Sequence, residues 1–355
     1  MTTFLAGHKS YMPKEVARLA SDLMKVPVSH VQPIGQGANS RVFRLSRPDG
    51  NYVLKFYFQH PEDPRDRLGT EFRSLSFLWD RGLRRIPRAL QAWPQQACAL
   101  YSLIEGVSPT AQLKNADIGQ AVDFLKILKQ LAGSGIDQGF PAASEAFFSG
   151  HDIINNLRIR LGRLQIIDSG QECQALHHYL QEDFLPLLGT VEEWSLEYLS
   201  QQGISWDKQL PDKYRTLSPS DFGFHNALRT SSGEVVFLDF EYFGWDDPVK
   251  TVSDFLWHPA MNLKEGFKQD FTVEATGLFS DDPGFQKRLK ACFPLFGLKW
   301  CLIFLNEFVA SDMQRRGFAQ APPKDKSVLL LNQLAKAKAF SDRIRRTYKE
   351  FPYDV

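Results

Sequence analysis

The spacing of hydrophobic residues first predicts a strand-rich segment. Pro13–Met24 has the pattern of a short helix. Two β-rich runs follow at 41–45 and 52–57, and the segment between them, Arg47-Pro-Asp-Gly-Asn51, is typical of a turn, so the pair predicts a hairpin. A strand is expected over 97–104. Between the run 52–57 and this strand, an apolar stripe at helical spacing predicts a helix. The stripe consists of Leu68, Phe72, Leu75 and Trp79.

From about Asp117 onward the period becomes mostly helical. Helices are predicted over 118–131, 153–164, 174–185 and most of 285–348, and a second strand region over 217–239. A chain of 355 residues exceeds the usual size of a single core. We therefore expect an α+β protein with two lobes. A small antiparallel β-sheet lobe would occupy 1–103, and a larger, mainly helical lobe with an embedded hairpin would occupy 104–355.

Composition and charge limit the partners and the cellular location that we expect for this protein. The net charge is +1 and the isoelectric point is about 7.7, which gives no reason to expect nucleic acid or an anionic membrane as partner. The cysteines are scattered without the spacing of a zinc site or a disulfide framework. No signal peptide is visible, and the most apolar run, 293–305, is interrupted by Pro294 and Lys299. These features favour a cytoplasmic protein and leave the oligomeric state open.

A glycine-rich loop precedes the first strand of the predicted hairpin. Its sequence is Gly35-Gln-Gly37-Ala-Asn39-Ser40-Arg-Val42. Glycines between two strands let backbone amides approach phosphate groups, because no side chain intervenes. Taken alone, the pattern fits an ordinary glycine-rich turn equally well.

Lys55 and Glu71 form a second candidate feature. Strand alternation puts Val53, Lys55 and Tyr57 on one face, and a lysine among apolar residues needs a partner if it is buried. Glu71 lies beside the apolar stripe of the next helix, where its carboxylate could meet that lysine. The alternatives are a lysine facing water on an edge strand and a solvated glutamate on a helix surface.

The most specific pattern is an ordered set of Asp and Asn residues. Asp221 and Asn226 reproduce the D-x-x-x-x-N spacing of a kinase catalytic loop, and Asp239 follows an apolar strand. With a two-residue turn at Ser232-Gly233, a hairpin would place Asn226 opposite Asp239, as a clamp for Mg²⁺. Asp221 would then stand near an attacking hydroxyl. The alternatives are an Asx-rich turn for the loop and a strand-ending cap for Asp239.

Taken in order, these features resemble the aminoglycoside phosphotransferase / choline kinase superfamily. The similarity runs from Val31 to His258 and is most specific in Ser218-Pro-Ser-Asp221-Phe-Gly-Phe-His-Asn226 and in Leu238-Asp239-Phe-Glu-Tyr-Phe-Gly-Trp-Asp-Asp-Pro248. It implies a two-lobed kinase-like fold, ATP and Mg²⁺ as cofactors, and transfer of phosphate to a small-molecule alcohol. The resemblance implies that Lys55 and Glu71 hold the phosphates and that the backbone of Ser102 to Ile104 is the hinge that binds adenine. It implies that Asp221 is the catalytic residue and that Asn226 and Asp239 bind Mg²⁺. The loop that covers the phosphates would contain Gly35, Gly37, Asn39, Ser40 and Val42.

The chain departs from the family pattern at three positions. Pro219 stands where a histidine usually precedes the catalytic Asp by two residues. Thr251 stands where an Asp usually follows the Gly-Asp-Pro proline by three residues, with Asp254 close by. Glu241 replaces the glycine of Asp-Phe-Gly, as it does in the choline kinase branch.

Carboxylates mixed with aromatic residues after Asp239 suggest contacts to an amine-bearing acceptor through charge and cation–π interactions. The candidate residues are Glu241, Trp245, Asp246 and Trp257. The alternative is that the aromatic residues pack the lobe and the acidic residues form a turn. An amino alcohol, an aminoglycoside-like molecule and a sugar therefore all remain open as acceptors.

Three other functions compete with this interpretation. A catalytically silent nucleotide-binding protein would agree with Pro219 but not with the full set of polar residues. A protein kinase would need an activation segment, and Asp246-Asp247-Pro248 follows Asp239 too closely to leave room for one. A metal-dependent hydrolase is disfavoured because the histidines show no metal-ligand spacing.

Overall fold

The computed structural model describes residues 12–35, 40–60, 63–134, 139–167, 171–319 and 325–353. The helices are α1 (Pro13–Met24), α2 (Arg67–Asp80), α3 (Asn115–Ala132), α4 (Gly150–Gln165), α5 (Gln171–His178), α6 (Leu185–Gln201), α7 (Pro248–Trp257), α8 (Glu265–Leu278), α9 (Phe285–Phe304), α10 (Ala310–Ala319) and α11 (Lys326–Thr347). The strands are β1 (His30–Pro33), β2 (Ser40–Arg47), β3 (Gly50–Tyr57), β4 (Ala89–Trp93), β5 (Cys98–Ser102), β6 (Thr216–Ser218), β7 (Ala227–Arg229), β8 (Val235–Phe237) and β9 (Gly244–Asp246). A π-helical segment, Tyr179–Phe184, joins α5 to α6.

The chain forms two compact units, each assembled from separate stretches of sequence. The first contains the described residues of Met1–Val107, Ala227–Tyr242 and Gln314–Pro322, and the second contains the rest. The predicted division into 1–103 and 104–355 did not place Ala227–Tyr242 and the described residues of Gln314–Pro322 in the first unit, where the structure has them. The physical reason for the hairpin's place is backbone pairing: Val107 and Arg229 exchange hydrogen bonds, and the Phe237 N–H donates to the Arg85 carbonyl.

The first unit is built on a five-stranded antiparallel sheet in the order β1-β2-β3-β5-β4. Helix α1 packs on one face of it, and apolar side chains of alternate strand positions meet that helix. Their burial removes a large apolar area from water, which is the main stabilising term for such a layer. This core consists of Val16, Ala20, Val31, Phe43, Leu45, Leu54, Phe56, Cys98 and Leu100.

Because side chains alternate along β3, Lys55 and Tyr57 lie on the opposite side from Leu54 and Phe56, as the sequence predicted. Strand β3 pairs with β2 and with β5, so Lys55 is on an inner strand rather than an edge. Helix α2 begins at the Asp66 cap, whose carboxylate accepts the Gly69 N–H at 2.9 Å. These placements bring the polar face of β3 next to α2.

The hairpin of β7 and β8 corrects the predicted register. Ala227 pairs with Phe237 and Arg229 with Val235, and the Thr230 N–H donates to the Glu234 carbonyl. The loop therefore has three residues and ends at Gly233, whose φ of +88° suits glycine. The predicted two-residue turn is wrong, and so is the register that placed Asn226 directly opposite Asp239.

The second unit is organised around α9, which packs against α4, α6, α7 and α11. Pro294 lies inside this helix, and its residue Gly297 lets Trp257 approach closely, since an added Cβ would lie 2.8 Å from the indole. The segment Phe285–Phe308 is long and apolar enough to span a membrane by composition, but 78% of its most apolar window is buried inside the protein. Such burial is typical of a core helix.

Most predicted elements are confirmed in type and place, including the first helix, the first hairpin and the helices predicted over 118–131, 153–164 and most of 285–348. Strands β4 and β9 and helices α6, α7 and α8 were not predicted. Strand β4 is short, contains no fully buried residue and begins two residues after Pro87, so it lacks a clear alternating pattern. The predicted fold class, a small antiparallel sheet with a mainly helical remainder, is confirmed.

Candidate active site

The first cluster of functional side chains, in the first unit, centres on Lys55. Its Nζ donates to Glu71 Oε2 at 2.6 Å and to Asp239 Oδ1 at 2.8 Å, and it lies 3.9 Å from Glu241 Oε2. Glu71 also accepts the Tyr57 hydroxyl at 2.7 Å. Lys55 and Glu71 are almost fully buried, whereas the Asp239 side chain is 30% exposed. The cluster thus leaves Asp239 as its accessible member.

Charge explains why a lysine can be buried there. Burial by itself would lower the pKa of Lys55, but the negative charges of Asp239, Glu71 and Glu241 outweigh it and hold the pKa well above its ordinary value. Burial also raises the pKa of the Glu241 carboxyl to about 7, and the charge of Asp239 acts in the same direction. Lys55 is therefore a permanent cation shared by neighbouring carboxylates.

Two backbone features fix Asp239 and its neighbour. Asp239 adopts a left-handed conformation with φ of +65°, an uncommon state for a non-glycine residue that is found often at functional sites. The following N–H, of Phe240, donates to Glu71 Oε1 at 3.3 Å. Strand β8 thus ends in a sharp turn that directs the Asp239 carboxylate to Lys55.

The second cluster, in the second unit, is the loop from Asp221 to Asn226. Ser220, immediately before it, has φ of +69°, and its N–H donates to Ser218 Oγ at 3.0 Å. The Asn226 Nδ2 donates to the Asp221 carbonyl at 3.1 Å and to Asp221 Oδ2 at 3.3 Å. Gly223 is required by packing, because a Cβ there would lie 2.5 Å from Met261 Sδ. The loop is therefore held tightly from both ends.

Two histidines contact the Asp221 carboxylate. His225 Nε2 lies 3.1 Å and His258 Nε2 3.7 Å from the same oxygen, Oδ1, and the two rings stack with centroids 3.6 Å apart. Burial alone would raise the pKa of Asp221, but these imidazoles hold it well below its usual range. Asp221 is therefore ionised at neutral pH and, with a side chain 39% exposed, is available to a substrate.

The remaining nucleotide-binding candidates are placed as follows. Gly37 and Asn39 lie outside the described residues. Gly35 has φ of +77°, Ser40 begins β2, and Val42 pairs with Lys55 across the hairpin. The hinge candidate Ser102 ends β5, where its N–H donates to the Arg88 carbonyl, and Ile104 follows in the segment leading to Val107.

Three of the four acceptor candidates, Glu241, Asp246 and Trp257, are buried and make internal contacts. Asp246 is fully buried and accepts a hydrogen bond from Lys250 Nζ at 2.9 Å. Trp257 is buried and donates to the Phe293 carbonyl, Trp245 lies in β9, and Glu241 lies 3.6 Å from Arg67 Nε in the first unit. Because Trp245 is only half-buried whereas the other three are buried, the acceptor role of these residues stays a prediction.

Sequence reasoning missed Tyr57, Arg67 and His258 as members of these clusters. Tyr57 could have been found from strand alternation, since it shares a face with Lys55. His258 is 37 residues from Asp221, and only the turn after α7 brings it there. No sequence signal marks that contact.

A strand lysine joined to a helix glutamate and an Asp at a strand end, together with a D-x-x-x-x-N loop, are the parts of a phosphotransferase. Comparison with family models agrees, because residues 30–274 match the phosphotransferase enzyme family. The match covers more than half of the chain, so the chain belongs to this family. A search of curated proteins finds no significant match.

Solved structures show the same fold at low sequence identity. A spectinomycin phosphotransferase in complex with ADP and spectinomycin aligns with a TM-score of 0.59 and 13% identity, covering 92% of this chain and 99% of that one. A choline/ethanolamine kinase family protein from Mesorhizobium loti aligns with a TM-score of 0.58 and 18% identity, covering 95% of this chain and 98% of that one. An aminoglycoside phosphotransferase in complex with gentamicin aligns with a TM-score of 0.59 and 15% identity, covering 98% of this chain and 99% of that one. The chain therefore has the kinase-like fold of small-molecule phosphotransferases.

Proposed function

We propose that this protein transfers the γ-phosphate of ATP, in the presence of Mg²⁺, to a hydroxyl group of a small molecule. The observation that carries the proposal is Lys55, buried on β3 and held by Glu71 at 2.6 Å and by Asp239 at 2.8 Å. A buried lysine fixed in this way presents a positive charge at a set position. Phosphoryl transfer requires such fixed charge, since catalysis is mostly positioning and electrostatic stabilisation.

Asp221 is the residue proposed to meet the acceptor. Its carboxylate is ionised and partly exposed, so it can accept a hydrogen bond from a substrate hydroxyl and orient the oxygen for attack. Oδ1 faces the two histidines and Oδ2 faces Asn226 Nδ2 at a longer distance of 3.3 Å. The weakly engaged Oδ2 is the atom that we assign to the hydroxyl.

Asn226 and Asp239 are proposed as the metal ligands, and their donor atoms fit that role. The amide nitrogen of Asn226 donates to Asp221, which leaves its carbonyl oxygen for a cation. Asp239 gives Oδ1 to Lys55 and retains a second carboxylate oxygen. Mg²⁺ prefers a few such oxygens with phosphate and water completing its shell, and when bound it offsets the charge of the ATP phosphates.

The acceptor class is proposed only as a small alcohol. Spectinomycin and gentamicin are bound by the similar proteins, and three of the four candidate cation-binding residues of this chain, Glu241, Asp246 and Trp257, are buried. Amino alcohols, aminoglycosides and sugars therefore stand as equal candidates. A cytoplasmic location is proposed from the buried free thiols Cys98, Cys173, Cys292 and Cys301.

The test is an acceptor screen with Mg·ATP, read by ADP release and by mass spectrometry of the phosphorylated product. We expect one class of alcohol to stimulate ADP release and to gain one phosphate. Asp221→Asn and Asp239→Asn should each reduce turnover by about a thousandfold or more. The matched control is Asp207→Asn, at a side chain that is 78% exposed, which should retain wild-type turnover. Wild-type rates in a folded Asp239→Asn protein would refute the metal assignment.

A further inference from the structure

The histidines that face Asp221 Oδ1 are stacked on each other. The rings of His225 and His258 are nearly parallel, at 7°, and both side chains are only 11–13% exposed. They come from different elements: His225 from the loop itself, and His258 from the turn that ends α7. In both rings Nε2 is the nitrogen that faces Asp221 Oδ1.

Packing decides the tautomer of His225. Among the described residues its Nδ1 is buried and has no hydrogen-bond partner, and it lies where a Cβ on Gly223 would come within 2.8 Å. A proton on Nδ1 would be a buried donor without an acceptor, which is costly. The proton of the neutral ring therefore belongs on Nε2, which faces Asp221 Oδ1 at 3.1 Å.

A backbone hydrogen bond decides the tautomer of His258. The Ala260 N–H donates to His258 Nδ1 at 3.2 Å, so Nδ1 must offer its lone pair. The neutral ring then carries its proton on Nε2, which faces the same Asp221 oxygen. At 3.7 Å this is a charge–dipole contact rather than a formed hydrogen bond. The Trp300 indole packs edge-on against His258, with ring centroids 4.6 Å apart, and limits its movement.

The same three side chains could suggest a metal site, because their ligand atoms all lie within 4.8 Å of one another. The ring planes argue against it. A metal ligand must offer a lone pair in the plane of its ring, and the lone pairs of two parallel rings 3.6 Å apart do not converge on one ion. Stacking combined with N–H donation fits the geometry instead.

We propose that His225 and His258 are positioning residues that orient the Asp221 carboxylate through Oδ1. His225 donates the hydrogen bond, and His258 fixes the His225 ring by stacking and presents a second N–H to the same oxygen. With Oδ1 engaged, Oδ2 is left directed to the acceptor hydroxyl. The inference rests on the proposed function, in which Asp221 meets the acceptor.

Matched substitutions separate the hydrogen bond from the packing. His225→Phe keeps a flat ring for stacking but removes the donor, whereas His225→Gln removes the ring but restores an N–H near the position of Nε2. We expect His225→Phe to lower kcat by about tenfold to a hundredfold, with KM for ATP unchanged within about twofold. His225→Gln should recover most of that loss. The control is His151→Gln, at a side chain 58% exposed, which should behave as wild type.

Equal rates for the Phe and Gln variants, or a rise in KM for ATP that matches the fall in kcat, would overturn the positioning role. Thermal unfolding of each variant shows whether a lost rate is a lost fold. A second measurement does not depend on activity: ¹⁵N NMR of the histidine rings in the wild-type protein should show Nε2 protonated and Nδ1 unprotonated in both His225 and His258.

The opposite tautomer in either ring would overturn the arrangement. A wild type that phosphorylates no acceptor would sink the proposed function, whereas the NMR result would still support or overturn the contact with Asp221. The two failures are therefore distinguishable.

Discussion

Replacing Lys55 should destabilise the first unit much more than neutralising Glu71, because one cation serves several carboxylates. In Lys55→Met, the buried Glu71 and Glu241 and the partly exposed Asp239 lose the positive charge that lies 2.6–3.9 Å from each of them. Breaking a buried ion pair by removing one partner costs about 3–5 kcal/mol, since the remaining charge is left uncompensated. We expect a loss of unfolding free energy in that range.

Glu71→Gln is the contrasting change. The glutamine carbonyl can still accept from Lys55 and from the Tyr57 hydroxyl, and Lys55 keeps its bond to Asp239 at 2.8 Å. The hydrogen bond from the Phe240 N–H, at 3.3 Å, is the weakest of the set. The expected loss is about 1–2 kcal/mol, because bonds that contribute about 1.5–3 kcal/mol to a charged group are here weakened rather than removed.

The assay is urea unfolding followed by far-UV circular dichroism and by intrinsic fluorescence, whose coincidence tests for a single transition. Lys14→Met, at an exposed position of α1, serves as the control and should change stability by less than about 0.5 kcal/mol. A Glu71→Gln variant as unstable as Lys55→Met would refute the reasoning, because the cation would then not be the shared partner.

Two further predictions concern the Asp221 loop. Gly223→Ala should destabilise the second unit by about 1–3 kcal/mol and lower turnover, because the new Cβ would lie 2.5 Å from Met261 Sδ; Gly119→Ala, with open space around it on α3, is the control and should be neutral or stabilising, as measured by urea unfolding and ADP release. Burial, with the neighbouring His225, lowers the pKa of His258 from 6.5 to about 4, so the unfolded chain binds this proton at higher pH than the fold does. Its contribution to stability is complete above pH 6.5 and falls as the pH drops towards 4, by about 2 kcal/mol at pH 5. The pH dependence of unfolding should therefore be shallower by that amount in His258→Gln, and equal slopes would contradict the assignment.

Several parts of the site were predictable because each depends on local pattern. Strand alternation placed Lys55 and Tyr57 on one face, and helical spacing placed Glu71 near the inward side of α2; the structure brings Lys55 and Glu71 together. The order of the motifs identified the family, since the D-x-x-x-x-N loop and the Asp239 segment are continuous in sequence.

The hairpin register could not be fixed in the same way. A two-residue turn at Ser232-Gly233 and a three-residue loop ending at Gly233 fit the same sequence, and they differ by one position in every pair. The backbone hydrogen bond from Thr230 to Glu234 selects the three-residue loop. The register of the hairpin therefore depends on how its two strands pair with each other and with neighbouring segments, which a short stretch of sequence does not reveal.

The sequence by itself determined the fold class, the family and the identity of the polar residues with chemical potential, because period, turn residues and motif spacing are properties of short segments. Only the tertiary structure decided which of them share an environment. It joined His258 to Asp221 across 37 residues and turned Asp246 and Trp257 into core residues. The physical reason is that burial, charge pairing and ring stacking depend on side chains that are distant in sequence and meet only when the chain packs.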